Sequence, residues 1–218
     1  MTNIGALCFI LLVIQCNGQQ QMPSNTIQIS SKQTYTGLIQ SEVYYIKYQK
    51  PMTFIVSGES DTFSKVTGLT VPFYHKQPLL YEIKFVGTCH VPHSSGVLLF
   101  VRLMIDDYLL YGDKLLPNNV ERYQLLQGVD DLISVDAIGG GRFDLYLVTM
   151  IQCEMSSFVY LNPGLHVIDV GVRGKMNMPF QVMGGVLSIK LIQYDRNANI
   201  GVQPVTWPNV TFRSFSSQ

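Results

Sequence analysis

The sequence predicts an all-β fold, a two-sheet antiparallel sandwich with the strand arrangement of a jelly roll. Apolar side chains recur at every second residue in about nine or ten short segments, which is the pattern of half-buried strands. Turn residues separate these segments, and no long stretch shows helical periodicity. The chain has 218 residues, 47% of them hydrophobic, and this is enough to fill the core of one large sandwich.

The first eighteen residues indicate a secretory signal peptide. They contain no charged side chain, an apolar run extends from Ile4 to Ile14, and Gly18 is a suitable cleavage position. A run of about eleven residues is too short to span a bilayer. The leader lacks the Lys or Arg that usually precedes such a run, and a buried N-terminal helix is the alternative interpretation. We expect a secreted, extracellular protein, and no later segment has the uninterrupted apolar length of a membrane span.

Three regions follow the leader: a polar N-terminal arm at 19–41, a β-sandwich domain at 42–195 and a polar C-terminal tail at 196–218. The arm is rich in Gln, Ser and Thr, so we expect it to be mobile or to hold a short edge strand at 26–30. Within the sandwich, alternation and β-rich composition predict strands at 43–48, 52–56, 65–73, 81–86, 97–105, 129–138, 143–153, 156–161, 161–173 and 184–195. Residues 113–128 are predicted to form a loop or a helical turn.

Segment 97–105 is apolar on both of its faces. Such a strand must be covered on each side, either by a second sheet and a loop or by a neighbouring subunit. The last two segments, 161–173 and 184–195, are predicted to pair as a hairpin. A Pro-Gly turn at 163 and 164 marks the start of the first, and glycines 184 and 185 mark the start of the second.

The cysteines divide between the leader and the mature chain. Cys8 and Cys16 leave with the leader, whereas Cys89 and Cys153 remain. Two thiols in an oxidising compartment favour a disulfide, and two separately buried thiols are the alternative. In the tail, Asn209-Val210-Thr211 is an N-glycosylation acceptor of an exported protein.

No motif in the sequence compels catalysis, so we expect a protein that is not an enzyme and has no cofactor. Gly-x-Ser-x-Gly, a phosphate-binding loop and His-Glu-x-x-His are all absent from the sequence. Gly139-Gly140-Gly141 is predicted to be a plain turn rather than an anion cradle, because no lysine or helix signal follows it. His166 lies on the core-facing register of its strand, which favours a structural histidine.

Two further groups of side chains were considered as metal ligands. His90 and His93 flank a turn beside Cys89 and could begin a metal site, but no third and fourth ligands are identifiable. The acid pairs at 106–107 and 130–131 lack the spacing of a calcium loop. We therefore predict solvated loop residues and no metal.

The charges exclude nucleic acid as a partner. The chain carries 15 basic and 15 acidic side chains, and it has no basic run that could neutralise a phosphate backbone.

Two segments together resemble a known family. Asp106 directly follows the apolar strand that ends at Ile105, and Leu161-x-Pro-Gly-Leu-His-Val-Ile-x-Val-x-Val-Arg is followed by a closing Gly-Gly-Val-Leu-Ser-Ile strand from 184. Over residues 80–195 this is similar to the jelly rolls of the tumour necrosis factor and complement globular-head superfamily, in which a Leu-x-x-Gly-x-His/Tyr-x-Ile/Val strand precedes the last core strand. The sequence departs from the family in lacking an upstream Gly-X-Y stalk and in carrying a polar tail. The resemblance implies a homotrimer with a receptor or ligand role.

We therefore expect a secreted recognition or adhesion module that binds an extracellular protein or glycan through loops such as 87–95, 106–118 and 139–142. The alternative is a structural component of an extracellular, skeletal or biomineral matrix, which would account for export, polar termini and the lack of catalytic groups. A secreted enzyme would require a cluster of carboxylates or histidines in a cleft.

Overall fold

The structure, a computed structural model, describes residues 24, 26–30, 38–93, 96–176, 178–195 and 200–207, and only the backbone of 27–30. Its strands are β1 (Thr26–Ser30), β2 (Ile39–Tyr48), β3 (Thr53–Val56), β4 (Ser64–Lys65), β5 (Val71–His75), β6 (Leu79–Val91), β7 (Val97–Ile105), β8 (Tyr108–Tyr111), β9 (Lys114–Pro117), β10 (Arg142–Leu145), β11 (Thr149–Leu161), β12 (Gly164–Lys175) and β13 (Phe180–Tyr194). One short α-helix, α1 (Leu132–Ala137), lies between 3-10 turns at Arg122–Leu125 and Ile138–Gly140.

The strands form two antiparallel sheets that pack face to face. Sheet I has the order β1-β2-β13-β6-β11, with β3 also on β13. Sheet II has the order β4-β12-β7-β8-β9, with β5 also on β12 and β10 also on β7. The chain crosses from one sheet to the other between β3 and β4, β5 and β6, β6 and β7, β10 and β11, β11 and β12, and β12 and β13. This interleaving is that of a jelly roll, and the predicted fold class is confirmed.

The main core lies between the sheets. The alternating side chains Ile168, Val170 and Val172 of β12 face Leu187 and Ile189 of β13 within it. The predicted disulfide is present, joining Cys89 of β6 to Cys153 of β11 with their Cα atoms 5.8 Å apart. Both cysteines are fully buried, so the disulfide ties two strands of sheet I inside the core.

The predicted hairpin of the last two strands is wrong. β12 lies in sheet II and β13 in sheet I, so they pack through their apolar faces across the core and do not pair. Glycines 184 and 185 do not begin β13 but form a bulge inside it, where the register shifts between Met183 and Val186. A Cβ on Gly185 would lie 2.9 Å from a ring carbon of Phe85, so the close approach of the two strands requires glycine there.

Three other predicted strands differ from the structure. The predicted strand 65–73 falls on two short strands, β4 and β5, with residues 66–70 between them. Residues 129–138 contain α1 instead of a strand, because Asp131 caps the helix by accepting the backbone N–H of Ser134 at 2.7 Å. Residues 143–153 form two strands, β10 and β11, and the chain reverses between them at Leu147, whose φ is +61°. The alternation of apolar residues continues through this turn, so it could not mark the reversal.

The second face of β7 is covered by the chain itself. Residues 118–141, which we call the insert, pack Val135 of α1 onto Phe100 and Met104 of β7 in a second apolar cluster. The covering loop is thus the correct alternative for segment 97–105, and this strand offers no surface to a neighbouring subunit.

Both predicted polar ends contribute to the sandwich. The backbone of β1 pairs along β2 as an edge strand. At the other end Val205 is buried in the main core and donates its backbone N–H to the carbonyl of Tyr160 at 2.9 Å. Thr206 bridges to Lys114 of β9. Residues 205 and 206 therefore close the open side of the sandwich between β11 and β9.

Candidate functional site

The outward face of sheet I is a candidate recognition surface, which we call the open face. Successive strand residues point to opposite sides of a sheet, so the neighbours of the core residues in β2, β3, β6, β11 and β13 point outward. Ile55, Met150 and Phe158 are 60%, 60% and 61% exposed, and Tyr44 and Tyr48 are also exposed. A sheet face carrying this many exposed large apolar side chains is typical of a surface that meets another molecule.

The lysines of the open face are paired with carboxylates of the same face. Tyr44, Lys190, Glu82 and Phe158 follow one another across four strands in register. Lys190 Nζ lies 2.7 Å from Glu42 Oε1, and this bond raises the pKa of Lys190. Lys84 lies 3.8 Å from Glu154. The face therefore presents apolar side chains between neutralised charges and no strong field of one sign.

An apolar tip adjoins the open face at the turn between β10 and β11. Tyr146, Leu147 and Val148 are consecutive and 72%, 65% and 66% exposed, and Met150 continues them onto the open face. A Cβ on Gly96 would lie 3.3 Å from Tyr146 Cδ1, so the turn before β7 and the apolar tip lie side by side.

The three loops predicted to bind a ligand do not form one surface. The described residues of loop 87–95 come before β7, and loop 106–118 comes after it. The two loops therefore lead to opposite ends of that strand. Much of 87–95 belongs to β6, and 108–117 forms β8 and β9 at the edge of sheet II. Gly141 accepts the backbone N–H of Val101 at 2.8 Å, which places 139–142 beside the middle of β7.

Asp106 and His166, the two polar residues of the resemblance, meet at one end of the sandwich. His166 Nδ1 lies 2.8 Å from Asp106 Oδ2, and His166 Nε2 lies 2.9 Å from the carbonyl oxygen of Asn162. An Asp-His pair could serve as a catalytic base only with a free ring nitrogen. Both nitrogens of His166 face acceptors, so the arrangement holds the turn rather than activating a nucleophile.

His75 and Tyr81 extend this polar group into the core. The ring of His75 lies 5.3 Å from that of His166 and 5.7 Å from that of Tyr81. Burial lowers the pKa of His75, and the neighbouring His166 adds to this effect. Within the described ranges the buried His75 Nε2 and Tyr81 Oη have no hydrogen-bond partner. The sequence analysis gave His75 no role, so this cluster was not predicted.

A second buried polar cluster lies under the insert, and sequence reasoning missed it too. Asp136 accepts from Arg122 Nε at 2.9 Å and Nη2 at 2.6 Å, and it also pairs with Arg173. Tyr111 donates its hydroxyl to the same carboxylate at 2.5 Å. Arg102 donates instead to the carbonyls of Asp136 and Ile138. The signal available in the sequence was a lone arginine inside each of the apolar strands 97–105 and 161–173.

Because the carboxylate of Asp136 pairs with Arg122 and Arg173 but not with Arg102, the three arginines of this cluster differ in the direction of their pKa shifts. Burial lowers the pKa of Arg102 and of Arg173. Burial also opposes the charge of Arg122, but its two bonds to Asp136 outweigh that effect and raise its pKa. The cluster clamps the insert onto sheet II, as buried charges must be paired or bonded to remain inside a protein.

The remaining predicted site residues are dispersed. His90 faces outward, 3.5 Å from Gln181 Oε1, whereas the adjacent Cys89 faces the core and is oxidised, so they cannot share a metal ion. Among the described residues no three His, Cys, Asp or Glu side chains form a metal-binding group. Asp107 pairs with Lys65, and the pKa of Asp131 is lowered by its helix-capping bond. Asn209 lies outside the described residues.

Comparisons with known proteins leave the family open. No family model and no curated protein matched the sequence. None of the described helices has the length and apolar character needed to cross a membrane.

Proposed function

We propose that the protein is a secreted, non-enzymatic recognition or adhesion module that assembles as a homotrimer through the open face of sheet I. The observation that carries this proposal is the difference between the two outer faces. The insert covers the middle of sheet II and buries Phe100 and Met104, whereas sheet I leaves Ile55, Met150 and Phe158 largely exposed. Association would remove this apolar surface from water, which is the main driving force of most protein interfaces.

The chemistry of the open face favours a second copy of the chain over a highly charged ligand. Its lysines are paired within the face to Glu42 and Glu154, so a nucleic acid or a polyanionic surface would find few free cations there. A surface of aromatic residues and neutralised charges can be complementary to itself, as a homo-oligomeric interface requires.

The resemblance to the tumour necrosis factor and complement globular-head superfamily supports a trimer. The strand order agrees with a jelly roll, and the two segments that carry the resemblance are joined through Asp106 and His166. Export is supported by the leader and by the disulfide between Cys89 and Cys153. The apolar tip at 146–148 would remain available for a protein or glycan ligand.

Light scattering coupled to size exclusion tests the assembly. The mature protein should elute with three times the mass of one chain. Phe158→Glu places a charge on β11, the edge strand of the open face, and should shift the protein to a monomer. Leu165→Glu is the matched control, because Leu165 is 64% exposed on the other sheet, where it pairs with Tyr74. A monomeric wild type, or equal effects of the two variants, would overturn the proposal.

A further inference from the structure

A small cavity opens where the edges of the two sheets meet the insert. It has a volume of about 160 Å³. Its walls come from β7, β8, β11 and the 3-10 turn after α1, and they are largely apolar: Leu103, Leu110, Tyr111, Ile138 and Met155. Ser156 and Ser157 line one side, and Arg102 supplies the charged group.

Arg102 retains unused donor capacity at this cavity. Its side chain is 1% exposed, and its Nη2 donates to the carbonyls of Asp136 and Ile138. Within the described part of the chain its buried Nε has no hydrogen-bond partner. A buried guanidinium donor without a partner is unfavourable by itself and becomes favourable when an anion accepts from it.

The charge balance around Arg102 also favours an anion. Arg122 and Arg173 pair with the single carboxylate of Asp136. Arg102 bonds to Asp136 only at the backbone carbonyl of that residue. Burial lowers the pKa of Arg102 and the positive charge of Arg122 lowers it further, against the opposing effects of Tyr111 and Asp136. An additional negative charge at Arg102 would relieve both effects.

The glycine triplet 139–141 is shaped around this arginine. A Cβ on Gly141 would lie 2.8 Å from Arg102 Cζ and 2.6 Å from the carbonyl oxygen of Val101. A Cβ on Gly139 would lie 3.7 Å from Arg102 Nη1. The triplet lets the loop approach the guanidinium closely, which a simple turn does not require.

We propose that this cavity binds a small carboxylate with an apolar body, the carboxylate on Arg102 and the body against Leu103, Leu110 and Met155. Sites of this kind combine apolar walls with a few polar groups that fix the orientation of the ligand. A bare inorganic anion would leave the apolar walls uncovered, and a neutral apolar molecule would leave Arg102 without an acceptor.

Benzoate and benzamide are suitable probes because they share a shape and differ in charge. Isothermal titration calorimetry and methyl resonances of the full-length mature protein would report binding. We expect saturable binding of benzoate, shifts of the methyl signals of Leu103, Leu110 and Met155, and affinity for benzamide lower by roughly tenfold or more, the usual effect of losing a charged hydrogen bond. Equal affinity for both probes, or shifts confined to other residues, would refute the proposal.

Three variants complete the test. Arg102→Gln should weaken benzoate binding by roughly tenfold or more. Arg142→Gln, which removes an exposed arginine paired with Asp144, is the control and should leave binding unchanged. Ile138→Trp, at an exposed wall of the cavity, should block binding while keeping every charged side chain of the cluster. This variant tests the site even if Arg102→Gln does not fold. Unchanged binding by Ile138→Trp would contradict the proposed place of binding.

Discussion

The carboxylate of Asp106 joins two strands that are distant in the chain. Its Oδ1 accepts the backbone N–H of Val167 at 2.6 Å, and its Oδ2 lies 2.8 Å from Nδ1 of His166. Asp106 occupies the tight turn between β7 and β8 with φ of +51°. One side chain therefore fixes this turn and the start of β12 relative to each other.

Removing that carboxylate should destabilise the fold. Asp106→Ala leaves the N–H of Val167 and the ring of His166 without an acceptor, so we expect a loss of about 2–4 kcal/mol of unfolding free energy, part of it from the left-handed backbone. Urea denaturation measures it. Asp107→Ala is the matched control, since the φ of Asp107 is also positive, at +71°, but its side chain is exposed. An equal loss in both variants would show that the contacts of Asp106 contribute nothing.

Stability should fall in mild acid because of His75. Its pKa is lowered in the folded state by burial and by the neighbouring His166, so the unfolded chain binds a proton at higher pH than the folded chain. Stability is therefore lost as the pH falls below the ordinary value of 6.5. Tyr81 also faces His75, and Asp106 bonds to the neighbouring His166. The stability of His75→Gln relative to wild type should increase between pH 7 and pH 5, and a constant difference would disprove the interpretation.

The buried carboxylate of Asp136 should be among the most sensitive positions. Asp136→Asn leaves Arg122 and Arg173 buried without a counter-charge, and we expect a loss of about 3–5 kcal/mol. Hydrogen exchange should then rise first in the insert, at 118–141. Asp144→Asn, which breaks an exposed pair with Arg142 at 3.2 Å, should lose less than about 1 kcal/mol. Protection of the insert that is unchanged in Asp136→Asn would exclude the clamp.

The disulfide should contribute to stability by an amount that rises with the logarithm of the length of the loop that it closes. Cys89 and Cys153 are 64 residues apart, and a loop of this length corresponds to about 4 kcal/mol in the chain-entropy model. The double variant Cys89→Ala with Cys153→Ala should lose a comparable amount in guanidinium denaturation. Adding a reductant to the wild type should approach the same value, whereas the double variant should not respond to it.

Expression in a secreting eukaryotic cell tests whether the protein is exported. The protein in the medium should begin at residue 19 and carry an N-linked glycan on Asn209. Asn209→Gln and Thr211→Ala should each remove the mass that a glycosidase removes from the wild type. Retention of the full-length chain in the cytosol, with residue 1 at its start, would contradict export.

The fold class was predictable because strand alternation is a local signal. The apolar faces of 97–105, of 168–172 and of 187–191 bury the residues that the period of two assigns to the core. The disulfide was predictable because Cys89 and Cys153 are the two cysteines that follow the predicted leader, and export implies an oxidising compartment. The turn between β10 and β11 and the helix at 129–138 were not, because a positive φ at Leu147 and a capping bond at Asp131 are single-residue features that leave the alternation unchanged.

The sites were less predictable than the fold. His166 and Asp106 were noted singly, but their contact spans two strands whose order depends on the complete sheet. Asp136 gave no signal of its own, since its role depends on Arg122 and Arg173 reaching it from elsewhere in the chain. Pairings of this kind depend on non-local topology, which a single sequence does not specify.

By itself the sequence determined which side of each strand is apolar, where most turns fall and that two cysteines follow residue 18. These are properties of neighbouring residues and of composition. Only the tertiary structure decided that the insert covers sheet II, that sheet I stays open and that Arg102 lines a cavity. The reason is physical: each depends on which strands pair across the fold, and many pairings would bury the same apolar faces equally well.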